Sequence, residues 1–310
     1  MEQNKPSLES TLKSSDTEEF IDIYFYRPIG YRWALLFQKL GVTPNAVTIA
    51  SIFIGVGSGI CFYFDNLWLT LLGIFLLVWA NSFDSADGQL ARMTKQFSAL
   101  GRVLDGFAGN LWFISIYIAI CMRLFPVWGW SIWALAVITG YFHSKQASMA
   151  DYYRNIHLLF LKGKSGSELD NTAELREKNV ELTWGANFWE KLVLTFYLNY
   201  TKGQESWSAN FQEMFKLLKS RFGETAPEQF RVAFREKSLP LMKWTNILSF
   251  NTRAIALFVA VLIKQPWLYF VFELVVLNVI LVYMVSCHEK MCKTFTKQIE
   301  EGKYEVQNTI

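Results

Sequence analysis

Two carboxylates three residues apart, with a glycine directly after the second, close a long apolar run: Phe83-Asp84-Ser85-Ala86-Asp87-Gly88-Gln89-Leu90-Ala91-Arg92. On a helix Asp84, Asp87, Gly88 and Ala91 fall at i, i+3, i+4 and i+7, which is one face. The carboxylates offer hard oxygen donors to a divalent cation, and Gly88 and Ala91 leave room for a flat or bulky ligand against the helix. Near the start of the next apolar run stands Asp105, with Gly101 and Gly109 four residues to either side. Antiparallel helices joined by the short stretch between them would bring all three carboxylates to a similar depth. Close anions raise one another's pKa, and Mg²⁺ or Mn²⁺ resolves that conflict. Neutralisation by Arg92 and Arg102 in a packed helix pair resolves it as well, so residue chemistry leaves both readings open.

The elements that must position these residues are membrane helices. Of the 310 residues 52% are hydrophobic and 16% aromatic, more than a soluble core usually requires. A spanning helix needs roughly 20 mostly apolar residues. About six stretches approach that length: Val47 to Phe64, Leu67 to Phe83, Val103 to Phe125, Trp128 to Phe142, Ile247 to Ile263 and Trp267 to Cys287. Arg27, Arg32 and Lys39 precede the first, Arg92, Lys95 and Arg102 separate the second from the third, and His288, Lys290, Lys293 and Lys297 follow the last. The positive-inside rule therefore predicts cytoplasmic termini and a cytoplasmic carboxylate cluster. A net charge of +3, without a basic block interleaved with aromatics, argues against nucleic acid as a partner.

The remaining segments follow from pattern. Residues 1–19 read as a disordered, polar tail without the apolar region of a signal peptide. Residues 20–42 suit an amphipathic helix in the headgroup layer. Thr43 and Pro44 are a cap and a first-turn residue for the first span, so residues 43–150 hold the first four spans. Residues 151–240 form a cytoplasmic helical insertion with balanced charge. In it Phe188, Trp189, Leu192, Val193, Phe196 and Tyr197 recur at helical spacing, as do Phe211, Phe215, Leu218 and Phe222. Such faces pack on each other or on the membrane surface, with partner recognition as the alternative. Residues 241–288 hold the last two spans, and 289–310 form a charged C-terminal segment. The four cysteines show neither metal spacing nor a disulfide framework, which points to packing.

The run Asp84-x2-Asp87-Gly88-x2-Ala91-Arg92-x8-Gly101-x3-Asp105 resembles the signature of the CDP-alcohol phosphotransferase family, D-x2-D-G-x2-A-R-x8-G-x3-D-x3-D. Thr43-Pro44-Asn45-x2-Thr48 resembles the start of that family's first span. The resemblance covers Phe20 to about Arg154, extends to the last two spans by topology, and omits the insertion. It implies an all-α protein of about six transmembrane helices, active as a homodimer. It also implies transfer of a phosphoalcohol group from a CDP-alcohol donor to an alcohol acceptor with release of CMP, one of the two being a membrane lipid. Carried over by position, Asp84, Asp87 and Asp105 would ligate Mg²⁺ or Mn²⁺, two ions in all. Gly88, Ala91, Arg92 and Ser98, with Asn45 and Thr48, would surround the CDP moiety.

One position departs from the pattern. The family's last Asp, assigned as the base that deprotonates the attacking hydroxyl, falls at Gly109. The neighbouring Asn110 carries an amide, which cannot take the proton. His143, Asp151 and Glu273 are the candidate replacements, with metal activation or the acceptor's own phosphate as other routes. Glu273, mid-span, is also expected to pair with Arg253 or a polar neighbour. The leading expectation is phosphatidyl transfer from CDP-diacylglycerol to a polyol or polyol phosphate such as inositol phosphate. Two alternatives stand beside it: headgroup transfer from CDP-choline or CDP-ethanolamine to diacylglycerol or ceramide, and a non-catalytic CDP-lipid-binding scaffold. An intramembrane prenyltransferase is disfavoured, because the later spans lack a second Asp-rich motif.

Overall fold

Thr43 and Pro44 start the first long helix as their chemistry predicts: the Thr43 hydroxyl accepts from the Ala46 amide and Pro44 occupies the first turn of α2 (Pro44–Tyr63). The computed structural model describes residues 14–97 and 99–305, without the side chains of residues 99, 100, 102, 103, 105 and 165. Among the described residues there are helices and no strand. Five helical stretches are long and apolar enough to cross a bilayer: Pro44–Tyr63, Leu67–Thr94, Gly106–Trp128, Glu228–Leu262 and Trp267–Glu300. The protein is an all-α polytopic membrane protein.

Five stretches, against the six expected, reflect the character of one helix. α5 (Trp130–Lys162) folds back along α4 (Ala99–Trp128) after Gly129, which takes a left-handed φ of 55°. Its mostly apolar, uncharged run, Trp130 to Phe142, would rise only about 20 Å, short of a bilayer core of roughly 30 Å. Polar residues then follow within the same helix, so the apolar density expected of a span is diluted.

The chain packs as two units. The first comprises the described residues up to Ser144 together with Phe250–Val276. In it α2 lies against both α3 (Leu67–Thr94) and α4, and α1 (Arg27–Lys39) lies against α3. Small residues make these approaches possible. A Cβ placed on Gly55 would stand 2.2 Å from the Trp112 ring, and one on Gly59 would stand 2.2 Å from Ser115 Oγ and 2.8 Å from the Ser115 backbone. Ser58 Oγ donates to Gly73 O at 2.7 Å and Ser115 Oγ donates to Val56 O at 3.0 Å, so hydroxyls tie helices whose backbones are already close. Packing begins earlier than the tail expected over residues 1–19 would allow. Ser14 and Thr17 are buried, and Glu18 makes a two-pronged ion pair with Arg27 at 2.9 and 3.0 Å. Residues 1–13 lie outside the described residues.

The second unit comprises Lys145–Ser249 and the described residues from Leu277 onward. It is wider than the insertion expected over 151–240, because α5 and α13 (Asn278–Glu300) supply part of its core. Phe211, Met214 and Leu218 of α8 (Ala209–Phe222) are buried, with Phe160, Phe230, Phe234 and Phe295 also buried in this unit. Arg231 donates to the carbonyls of Phe160 and Leu161, both at 3.0 Å, and so satisfies the C-terminal end of α5.

The glycine contacts carry a testable consequence. Gly59→Ala should destabilise the protein by about 1–3 kcal/mol, since backbone atoms block the new methyl group. Gly57→Ala, whose Cβ would meet nothing nearer than Leu76 Cδ1 at 3.9 Å, should leave stability unchanged or slightly raised. Thermal unfolding midpoints in detergent distinguish the two.

Candidate active site

α3 runs from its apolar N-terminal half into the acidic face without a break and ends at Lys95, whose left-handed φ of 55° stops the helix. Asp87 is 4% exposed and Asp84 is half-buried on the same face. The Thr48 hydroxyl is 2.5 Å from Asp87 Oδ2 and 3.2 Å from Pro44 O. A hydroxyl has one proton, and the shorter contact assigns it to the carboxylate. The first turns of α2 are thereby fastened to the acidic face of α3. Further along that face, Arg92 folds back so that its guanidinium nitrogens lie 3.5 Å from where a Gly88 Cβ would be. A cationic fork, a buried carboxylate and a bare stretch of backbone thus adjoin on α3. Such a surface suits an anion bound together with a divalent ion.

The fit to a metal rests on the donor set. Asp84 and Asp87 supply oxygen only, which suits a hard ion such as Mg²⁺ or Mn²⁺. Among the described residues no group of three ligating side chains forms such a site. The third expected ligand, Asp105, lies in α4, but its side chain is outside the described residues, as is Ser98 altogether. Asn45 sits in the first turn of α2, half-buried, and Ala91 continues the α3 face. Gly109 lies one turn beyond Asp105, and a Cβ placed on it would meet no described atom within 4 Å. Asn110 turns away from any such role, its amide donating to Gly106 O at 3.0 Å.

A second set of residues steadies α3 from the adjoining face and was not apparent in the sequence. Arg27 of α1 reaches Ser85 Oγ at 3.4 Å, and Gln89 donates to the Arg27 carbonyl at 3.2 Å. Gly30 makes the contact possible, for its Cβ would stand 2.9 Å from both Ser85 Oγ and Gln89 Oε1. A glycine inside an amphipathic helix was the available signal.

Two of the candidate bases meet each other. Glu273 is wholly buried and accepts from Arg253 at 2.8 Å, from Tyr269 at 2.5 Å and from Tyr117. Its expected pairing with Arg253 is therefore present. His143 Nδ1 lies 3.1 Å from both Glu273 oxygens and 2.8 Å from Arg253. Tyr117, at the centre of this cluster, is twelve residues along α4 from Asp105, a rise of about 18 Å. The structure thus gathers His143 and Glu273 with each other and not with the acidic face of α3. Asp151 belongs to the second unit, where it accepts from Asn155 at 3.2 Å.

Residues 41–150 match the model of the CDP-alcohol phosphatidyltransferase family. Over those residues the chain is similar to a CDP-alcohol phosphatidyltransferase domain. An archaetidylinositol phosphate synthase of Pyrococcus horikoshii is 35% identical over 113 residues, 36% of this chain and 57% of that protein. A bifunctional IPC transferase and DIPP synthase of Aquifex aeolicus is 29% identical over 98 residues, 32% of this chain and 22% of that protein. The chain thus spans well under two thirds of either relative. No solved structure matches it significantly. The domain contains every element that meets at the acidic face except α1.

Breaking the deep cluster should unfold the protein and not merely slow it. Glu273→Leu, which strands Arg253 in the interior, should cost about 3–5 kcal/mol. Adding Arg253→Met should restore much of that loss, because an apolar pair of similar volume replaces a buried ion pair at little penalty. Thermal unfolding in detergent of the single and double variants checks both.

Proposed function

We propose that this protein is a membrane transferase that moves a phosphatidyl group from CDP-diacylglycerol to a polyol phosphate, such as inositol phosphate, and releases CMP. The observation that carries the proposal is the bond between Thr48 and Asp87, which joins the start of the first span to the acidic face of α3. The P. horikoshii relative, named for archaetidylinositol phosphate, favours a phosphorylated polyol acceptor. In this reading Asp84, Asp87 and Asp105 hold Mg²⁺ or Mn²⁺ near the cytoplasmic face, and a bound ion neutralises charge on the pyrophosphate. Arg92 meets a pyrophosphate oxygen above Gly88, while Ala91, Ser98 and Asn45 bound the nucleotide. Thr48 fixes the orientation of Asp87 through its hydroxyl.

The acceptor oxygen bonds to the phosphorus that carries diacylglycerol, the bond from that phosphorus to the CMP oxygen breaks, and CMP departs as a phosphate monoester. The hydroxyl proton needs a destination, and Gly109 offers none. A phosphate on the acceptor itself, with a second pKa of about 6, can take it. Gly109 favours this route further: a carboxylate there would add a fourth negative charge where a dianionic acceptor must approach. The same residue supports a second reading, nucleotide-lipid binding without turnover.

CMP release by the purified protein, with Mg²⁺ and CDP-diacylglycerol, separates these readings. Asp84→Ala and Asp105→Ala should each abolish release, and survival of turnover in both would remove the metal-site assignment. Inositol phosphate should be used in preference to free inositol, and Gly109→Asp should narrow that preference by supplying a base worth about 10²- to 10⁴-fold. Equal use of both acceptors by the wild type would overturn the proton route. CDP-diacylglycerol binding without CMP release in the presence of any acceptor would establish the scaffold.

A further inference from the structure

The second unit contains a helix that is packed inside out. In α7 (Phe188–Glu205) Trp189, Val193 and Phe196 stand at i, i+4 and i+7, a narrow apolar stripe that a soluble protein turns inward. Here Trp189 is 75% exposed, Phe196 62% and Val193 37%. The buried residues of the helix are instead polar, Thr201 and Gln204. Its fastenings are polar too: Gln204 donates to Ser148 O at 2.9 Å, Thr195 accepts from Asn179 at 3.0 Å, and the Tyr197 hydroxyl donates to Asp170 at 2.6 Å. Trp184 in the preceding turn and Phe188 at the first position of the helix, both exposed, extend the patch. Lys191 donates to Leu182 O at 2.7 Å with its ammonium 5.5 Å from the Trp184 ring, so this cation is held against the patch by a backbone carbonyl.

We propose that this face of α7 is a docking face for the lipid surface, seated in the headgroup layer by Trp184, Phe188, Trp189, Val193 and Phe196. Three observations favour lipid as the occupant. The segment is tethered on both sides in sequence to stretches that cross the bilayer, Gly106–Trp128 before it and Glu228–Leu262 after it, so a lipid surface is always within reach. Tryptophan and phenylalanine together on one side of a helix match the composition that partitions into the headgroup layer. Glu190, Lys191 and Lys202 carry both signs, so attachment depends on apolar burial and not on anionic lipid. This inference is independent of the catalytic reading: an inactive protein would dock equally.

The test places a nitroxide on the full-length protein in nanodiscs of a zwitterionic phosphatidylcholine. A ketone-bearing residue, introduced singly at 189, 193 or 196, or at the exposed polar positions 190 and 202, carries the label. The expected result is that labels at 189, 193 and 196 collide severalfold more with oxygen than with a water-soluble nickel complex, while 190 and 202 show the reverse. Trp189→Glu with Phe196→Glu should then turn the label at 193 toward the nickel complex. The proposal is overturned if 189, 193 and 196 behave as 190 and 202 do, which would mean a free aqueous surface. Shielding of all three from both reagents overturns it equally, and would mark a protein partner or a second copy of this chain.

Discussion

The site depends on the absence of side chains between helices. Gly55, Gly59 and Gly73 let α2 approach α3 and α4 until ring and backbone atoms of one helix occupy the space a methyl group would need on the other. At that separation a hydroxyl as short as that of Thr48 reaches the Asp87 carboxylate. Were the helices held apart by ordinary side chains, the carboxylate would have to find water or a cation alone, at the depth where solvation is weakest. Close packing in a membrane has no hydrophobic drive between helices to lean on, so dispersion contacts and interhelical hydroxyl bonds must supply it. Both are present along α2.

Two polar centres coexist in the first unit, and their physics differs. In the deep cluster Arg253, Tyr269, Tyr117 and His143 all converge on the Glu273 carboxylate. A centre of that kind specifies how α4, α5 and the later helices meet, and it has little capacity left for a ligand. The acidic face of α3 differs in its surroundings. It places carboxylates beside bare backbone at Gly88, with a guanidinium folded over the gap, and this is the face that the proposed reaction assigns to an ion and a pyrophosphate. The contrast separates an ionisable residue that joins helices mid-span from those that line the α3 face.

Gly109 ties chemistry to packing in the same way. In the pattern this domain resembles, a carboxylate occupies the position, and here its volume is open among the described residues. Removing the carboxylate removes a proton acceptor and one negative charge together. The two losses pull in opposite directions for a neutral and a phosphorylated acceptor, which makes the position a determinant of acceptor class in the proposed reaction. Outside the domain, the second unit has its own aromatic core around Phe160, Phe211, Phe230 and Phe234. That unit lies beyond the matched residues except for its first few, and the reversed polarity of α7 sets it apart again.

Much of this was legible in the sequence because it is local. The one-face spacing of Asp84, Asp87, Gly88 and Ala91, the cap at Thr43 and Pro44, and most of the spans follow from a helical period and transfer energies, which depend on neighbours a few residues away. The pairing of Glu273 with Arg253 was legible too, since a charge buried in an apolar helix demands a partner and few were within reach. What only the tertiary structure decided spans longer separations in the chain: Thr48 on Asp87, Arg27 on Ser85, His143 at the level of Tyr117, and the outward face of α7. Periodicity states which residues share a side of a helix. Which side meets a neighbour is settled by the packing of all the helices at once, which no local period encodes.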